Sequence, residues 1–411
     1  MIKVLTFTTL YPNAKQPSHG IFVENRLVNL IGRTDIDATV IAPVVYVPAI
    51  DGMPHRYRVL SDVPLLEQRR GLMVHHPRYF LLPKISMSVA PWSLYLAARQ
   101  YLTKLMASGF TFDLIDAHYF YPDGVAAMLL GRHFNKPVII TAHGSDINII
   151  PRFRLPRGMI RWAAARSAAI VTVCEFLKKS LVGLGIDPAK IQLGRNGVDL
   201  AKFRPGDRDA ARRRIGFSGT TLLSVGNLIP LKGHDLAIRA LASLPEARLA
   251  IAGGGPERGN LEQLAVRLGV GDRVRFFGRV AHDALPEIYL AADALLLLST
   301  SEGLANVLIE AMACGTPVIA TPVGGTPEVV TSPAVGELLV ERNPAAAAAA
   351  VVKVLARGVD RRAVRAHAEA YSWEATTSGL PSLFAGIART HATKTEMKAL
   401  ERDVESERLT L

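Results

Sequence analysis

Only two cysteines, Cys174 and Cys314, occur in 411 residues, each inside an apolar run. They allow no framework beyond a single bridge, and two reduced, buried thiols in a cytosolic protein are the better reading. No stretch reaches roughly 18 uninterrupted apolar residues, so an integral membrane span is not expected. The opening Met1-Ile-Lys-Val-Leu-Thr-Phe reads as strand and lacks the charged leader, apolar core and cleavage site of a secretory signal. There is no convincing Asp-x-Asp pair and no cluster of histidines, so no metal is expected.

What is present is apolar and unevenly charged. Hydrophobic residues make up 49% of the chain, enough for two sizeable cores, and the length favours two or more domains. The net charge is +12. Residues 1–205 hold 25 Lys and Arg against 13 Asp and Glu, whereas residues 206–411 hold 23 of each. The whole excess therefore lies in the N-terminal half, which suggests an anionic partner there unless the half is simply arginine-rich.

Short Val- and Ile-rich runs alternate with helical spacing throughout. In the first half the expected strands are Ile2–Thr8, Ala38–Ala42, Gly71–His75, Leu114–Ala117, Val138–Thr141 and Ala169–Cys174. Helical stretches such as Val23–Leu30, Ser93–Ala107 and Gly124–Phe134 separate them. A second series follows Phe203-Arg-Pro-Gly-Asp, with strands expected at Thr221–Val225, Arg248–Ala252, Val274–Phe277, Ala294–Leu298, Pro317–Ala320 and Glu337–Val340. This order is the signature of an α/β protein with parallel, doubly wound sheets. Asn343-Pro-Ala reads as a cap and start for an alanine-rich helix over 345–356. The expected domains are 1–203 and 204–370, with a helix over about 371–388 packing back on the first and a charged tail over 389–411.

The densest chemistry lies in Ser299-Thr-Ser-Glu-Gly-Leu-Ala-Asn-Val-Leu-Ile-Glu-Ala-Met-Ala-Cys-Gly-Thr-Pro. A parallel strand delivers its carboxyl end into a small-residue turn that opens a helix, which is where open α/β sheets bind ligands. Gly303 can bring backbone close to a ligand, and the free amides of Leu304, Ala305 and Asn306 favour phosphate. Glu302 and Glu310 are placed to accept hydrogen bonds from sugar hydroxyls. The plainer alternative is a capped surface helix with solvated carboxylates.

These residues, Glu302, Gly303, Asn306, Glu310 and Ala313-Cys-Gly-Thr-Pro-Val, resemble the donor motif of retaining family 4 glycosyltransferases with the GT-B fold. Arg195-Asn-Gly-Val-Asp, Val225-Gly-Asn-Leu-Ile-Pro-Leu-Lys-Gly, Ile251-Ala-Gly-Gly-Gly-Pro and Phe277-Gly-Arg-Val follow the family's order. The likeness covers roughly residues 1–385. It implies two Rossmann-like domains facing across a cleft. It implies that Glu310 holds the ribose, Glu302 the transferred sugar, and Lys232 the departing diphosphate, helped by amides near Asn306. Gly253, Gly254 and Gly255 would let diphosphate or base approach, and backbone at Arg279 and Val280 would meet the base. Gly303, Leu304, Ala305 and Val307 complete the implied donor set. Breaking a glycosyl–phosphate bond leaves negative charge on the diphosphate, which prepositioned cations and amides stabilise. The chain departs from the family at Asn227, where an arginine is usual. Either Lys232 and the helix terminus suffice, or a cation such as Arg195 compensates.

In the first half, Pro17-Ser-His-Gly-Ile-Phe-Val-Glu is similar to the family's first loop, with Gly20 at the cleft. His118 and the run His143-Gly-Ser-Asp146 stand at carboxyl ends of strands. The resemblance puts His118 near the transferred sugar and His143 near the phosphate or acceptor, with Asp146 in the acceptor set. No enzymic nucleophile is obvious. A front-face transfer is therefore expected ahead of double displacement on Glu302.

Arg152, Arg154, Arg157 and Arg161 interleave with Phe153, Met159, Ile160 and Trp162, and the apolar loop Tyr79–Trp92 lies upstream. Such mixtures lie at anionic membrane interfaces, although a solvated helix start followed by core would look alike. No nucleic-acid module accompanies them. The expected activity moves sugar from a UDP- or GDP-sugar to a saccharide or lipid-linked acceptor in cell-surface polysaccharide synthesis. It would take place in the cytoplasm, at the inner face of the plasma membrane. A GT-B epimerase or a non-catalytic nucleotide-sugar-binding protein is the alternative, and a phosphorylase lacks a candidate lysine for pyridoxal phosphate.

Overall fold

A computed structural model describes residues 1–32, 34–46, 60–81 and 86–410. The chain divides into two compact units. The first comprises Met1–Val173, Lys178–Gly194 and Thr377–Leu411, and the second Cys174–Leu177 and Arg195–Thr376.

The first unit contains β1 (Ile2–Phe7), β2 (Ile36–Ile41), β3 (Val44–Tyr46), β4 (Leu66–Arg69) and β5 (Leu72–His75). It continues with β6 (Arg78–Phe80), β7 (Leu114–His118), β8 (Val138–Ala142), β9 (Ala169–Thr172) and β10 (Ile191–Leu193). Every residue of β7, β8 and β9 is buried. Strands covered on both faces read as unbroken apolar runs, which is why these were plain in the sequence. The main sheet runs β10-β9-β8-β7-β1-β2-β5-β4, and β3 pairs with β6 apart from it. All main-sheet pairings are parallel except the β4–β5 hairpin. Its two-residue turn, Arg70 at φ +48 and Gly71 at φ +86, has the left-handed backbone that tight hairpins need. Strand order reverses between β1 and β7.

The second unit contains β11 (Thr220–Val225), β12 (Ala247–Ala252), β13 (Val274–Gly278), β14 (Ala294–Leu297), β15 (Val318–Ala320) and β16 (Gly336–Leu338). They are parallel in the order β13-β12-β11-β14-β15-β16. This is the doubly wound order, with its reversal between β11 and β14. Leu222, Leu249, Ile251 and Leu296 from the sheet meet Ile238, Leu241 and Val351 from the covering helices. The alanine-rich helix runs Pro344–Arg357. The Asn343 side chain accepts from the Ala346 amide, and Gly358 at φ +63 ends it.

Several expectations change. The division falls at Gly194/Arg195 and not at 203/204, because the next residues are tied into the second unit. The Val198 amide donates to the Tyr371 carbonyl at 2.8 Å. The Phe203 ring packs on His282 and Tyr289 with centroids 5.2 and 6.0 Å apart. The expected helix over 371–388 is two helices, Trp373–Thr377 and Leu380–Thr410, so the tail from 389 continues as helix. Leu380 and Phe384 join the first unit's core with Val4, Val23, Leu27 and Leu114. The stretch Tyr79–Trp92 is not all loop. Residues 82–85 lie outside the described residues, and Ser86–Ala107 is helix. Among the described residues no helix is long and apolar enough to cross a membrane.

Candidate active site

The second unit's chemistry collects where β11 and β14 end side by side, at the reversal of strand order. After β11 the chain forms a short turn, Pro230–Lys232, and Gly233 at φ +71 opens the helix His234–Leu241. A Cβ on Gly233 would come within 2.1 Å of the Leu298 carbonyl oxygen, so the turn is pressed against the end of β14. That contact delivers Lys232 to Glu302. Lys232 Nζ donates to Glu302 Oε1 at 2.7 Å, and Ser299 Oγ donates to the same oxygen at 2.6 Å. Their side chains are 24% and 9% exposed, so this pair is half-withdrawn from water and its charges are screened less than a surface pair.

The next turn is fixed through backbone. The Gly325 amide donates to the Gly303 carbonyl at 2.7 Å, and the Cys174 thiol reaches the same carbonyl at 3.6 Å. Leu304 and Ala305 are buried. The helix Asn306–Ala313 then begins behind Ala305, which carries no side-chain oxygen to cap it. Its first amides and Lys232 form the electropositive side of the site. Asn306 Oδ1 accepts from Asn196 Nδ2 at 3.1 Å, and Val307 is half-buried.

Glu310 is held by residues that sequence reasoning missed. Tyr289 donates its hydroxyl to Oε2 at 2.8 Å, and His282 Nε2 lies 3.1 Å from Oε1. Lys202 Nζ, which can only donate, sits 2.8 Å from His282 Nδ1. His282 Nδ1 is therefore an acceptor, and Nε2 carries the proton that goes to Glu310. Burial, and then the Glu310 carboxylate, push the Tyr289 phenol well above its ordinary range. Nothing in the spacing of His282 or Tyr289 marked them, since their partner lies more than 20 residues away.

The three glycines 253–255 also serve the chain itself. A Cβ on Gly253 would lie 1.8 Å from the Gly226 carbonyl oxygen, and one on Gly255 2.4 Å from the Leu228 carbonyl oxygen. One on Gly254 would strike Arg279 Cγ at 2.7 Å. These glycines let two loops of the protein approach each other. Arg279 itself is exposed and Val280 half-buried. Asn227 is exposed as well, and its carbonyl accepts from His234 Nε2 at 3.2 Å while Ser224 Oγ meets His234 Nδ1 at 2.9 Å. This buried histidine braces the loop and was not foreseen. Arg195 Nη2 donates to Glu328 at 3.1 Å. Among the described residues no cluster of three or more His, Cys, Asp or Glu side chains could hold a metal ion.

In the first unit, His118 ends β7 beside β1, again at the reversal. Its Nε2 lies 3.1 Å from Asp116 Oδ2 and its Nδ1 3.0 Å from His143 Nε2. His118 is 2% exposed, with both ring nitrogens engaged within the unit. Asp146, expected in the acceptor set, serves as an internal brace. It is fully buried and accepts the amides of Phe120, His143 and Gly144. Gly20 likewise answers to the chain. It has φ +66, and a Cβ there would come within 2.2 Å of the Leu10 carbonyl oxygen. Asp123, also unforeseen, is buried and accepts from the Thr9 amide and hydroxyl. Burial outweighs those bonds and pushes its carboxyl up to about 7.

Two Rossmann-like units, one with a lysine–glutamate pair and an uncapped helix start at its switch point, define a GT-B glycosyltransferase. Family models agree: "Glycosyltransferase Family 4" matches residues 10–202 and "Glycosyl transferases group 1" matches residues 207–371. The chain belongs to this glycosyltransferase family. It is 34% identical over 294 residues to the D-inositol 3-phosphate glycosyltransferase of Mycobacterium leprae, covering 66% of this chain and 68% of that one. It is 35% identical over 303 residues to the enzyme of the same name from Geodermatophilus obscurus, covering 67% of each. In fold it is similar to sucrose-phosphate synthase from Thermosynechococcus elongatus (TM-score 0.80, 21% identity, 95% of this chain and 100% of that one). It is also similar to Anabaena HepE in complex with UDP and glucose (TM-score 0.71, 18% identity, 94% and 100%).

Proposed function

We propose that the protein transfers a sugar, with retention, from a UDP- or GDP-sugar to a saccharide or lipid-linked acceptor. The reading is carried by Lys232, held 2.7 Å from Glu302 at the end of β14. With a donor bound, Lys232 and the first amides of the helix Asn306–Ala313 would meet the charge that develops on the diphosphate, with no metal required. Glu302, already oriented by Ser299, would accept from hydroxyls of the transferred sugar, and Glu310 from the ribose. The leaving phosphate would take the acceptor's proton in a front-face step. Thermal-shift screening of UDP-, GDP- and ADP-sugars tests this. A donor at about 100 times its dissociation constant stabilises the fold by roughly 2.7 kcal/mol. Failure of every nucleotide sugar to shift the transition would overturn the reading.

Two acceptor classes are compatible with the basic first half. The expected one is a growing cell-surface glycan on a lipid at the cytoplasmic face of the plasma membrane. In support, Trp92, Leu129, Arg132, Arg154, Leu155 and Met159 line an apolar cavity of about 450 Å³ with arginines at its edge. Binding to anionic but not neutral vesicles at low salt is the expected result. The other class, favoured by the likeness to D-inositol 3-phosphate glycosyltransferases, is a small phosphorylated polyol. Turnover with D-inositol 3-phosphate in the absence of lipid would select it.

A further inference from the structure

Three helices of the first unit, Ser86–Ala107, Val125–His133 and Arg154–Arg166, pack on one another. Together they carry seven Lys and Arg and no Asp or Glu. The surrounding chain does not balance that charge. Residues 68–174 contain four acidic residues. Asp116, Asp123 and Asp146 are buried in the interior, and the exposed Asp113 accepts from the Lys3 amide at 2.8 Å. Arg132, Arg154, Arg157 and Arg161 are all exposed, and none has an ion-pair partner among the described residues.

The same helices expose large apolar side chains. Trp92 and Leu96, one turn apart, are 51% and 50% exposed, and Leu155 is 52% exposed. Phe153, just before the third helix, is 47% exposed. Trp92 and Leu155 both border the apolar cavity of about 450 Å³. Val125 and Leu129 line it from one helix, Met159 and Trp162 from the next, and Arg132 and Arg154 border it as well. Gly158 leaves it open, because a Cβ there would meet nothing within 4 Å. Its volume is that of a ligand pocket. Charge and grease on one patch narrow the choice of partner. A second copy of the chain would bring the same positive charge against itself. Nucleic acid supplies negative charge but no aliphatic group to fill the cavity. An anionic bilayer supplies both, with phosphates directly above acyl chains.

We infer that this three-helix face docks on an anionic phospholipid bilayer, its cavity taking part of one acyl chain and Arg132 and Arg154 meeting that lipid's phosphate. The ligand is bulk phospholipid and not the sugar acceptor. The site belongs to the first unit alone, so it stands whichever acceptor class the enzyme uses. Trp92, Leu96, Phe153 and Leu155 enter the interface, and Arg157 and Arg161 stay among the headgroups.

Flotation of the full chain with vesicles of equal parts phosphatidylcholine and phosphatidylglycerol, free of donor and acceptor, tests the docking. Binding is expected at low salt, falling as salt rises and absent on phosphatidylcholine alone. Arg154→Gln and Arg157→Gln remove exposed, unpaired cations, and each should weaken partition about fivefold. Acyl-brominated phospholipid then tests the cavity. In a Trp92→Phe chain, the remaining tryptophans are Trp162, which lines the cavity, and Trp373, which is buried in the second unit. Quenching is expected, and it should vanish when Trp162→Phe is added. Gly158→Leu, which has room to fold, should fill the cavity and abolish the quenching while flotation persists. Vesicle binding that leaves Trp162 unquenched overturns the acyl site. No binding to anionic vesicles, or binding to an oligonucleotide at a salt concentration where vesicles are ignored, overturns the inference as a whole. Nucleotide sugars that still shift the thermal transition would then keep the transferase reading intact.

Discussion

Replacing Gly253 with alanine separates two roles for the glycine run after β12. The resemblance gives these glycines to the ligand, whereas the geometry gives them to the neighbouring loop. An alanine Cβ would start 1.8 Å from the Gly226 carbonyl oxygen, where ordinary contact begins at 3.4 Å, so the loops must part by about 1.6 Å. Three bonds hold them: Gly226 N to Ala252 O at 3.0 Å, Leu228 N to Gly254 O at 3.0 Å and Glu257 N to Leu228 O at 3.0 Å. Moving a backbone by that distance breaks at least two, at about 1 kcal/mol net each. Overpacking adds about 1–3 kcal/mol, so a loss of roughly 3–5 kcal/mol is expected. Urea unfolding followed by circular dichroism measures it. Gly259→Ala is the control. It lies in the helix Arg258–Arg267 with nothing within 4 Å of a new Cβ, and should be neutral or stabilise by up to about 1 kcal/mol. A Gly253→Ala protein of wild-type stability that has merely lost nucleotide binding would refute the reasoning and return the glycine to the ligand.

Other outcomes follow from the same contacts. Lys232→Ala removes the cation at the switch point and should lower kcat by roughly 10²–10³-fold, measured by release of nucleotide diphosphate. Glu302→Gln can still bond Ser299 but loses the charge facing Lys232, and substantial residual turnover would exclude Glu302 as an obligatory nucleophile. Asp123 holds its proton to about 7 in the folded chain against an ordinary 3.8. Its contribution to stability is full below about 3.8 and is lost as pH rises toward 7. Asp123→Asn should flatten that decline, and unfolding free energies between pH 4 and 8 check it. Gly20→Ala meets both a left-handed φ and the Leu10 carbonyl, and should cost about 2–4 kcal/mol in urea unfolding.

The strands were plainest where burial covers both faces, as in β7, β8 and β9, although β13, with no fully buried position, was legible too. β4 has no fully buried position and was missed, as was the three-residue β10. The segment from Ala294 to Ala313 was legible as architecture because strand, turn and helix follow one another within about 20 residues of sequence. Lys232 and Glu302 are 70 residues apart, so their contact depended on β11 and β14 being neighbours, and strand order leaves no mark on composition. The same holds for His282, Tyr289 and His234, whose partners are set by packing. Gly20, Gly253 and Asp146 have structural duties that their residue types did not reveal. Each is needed by the chain itself, and a residue type suited to a ligand is equally suited to a tight turn or a buried bond.

The path of the chain between units has a consequence for synthesis. The first unit's core includes Leu380 and Phe384, whereas the second unit is complete by Thr376. A ribosome therefore releases the later unit's full sequence before it supplies the last core residues of the earlier one. The sheet of β1–β10 waits, with part of its apolar face uncovered, until the helix Leu380–Thr410 arrives. The order of completion is the reverse of the order of translation, and chains cut short near residue 376 would leave the ribosome with the second unit built and the first exposed to aggregation.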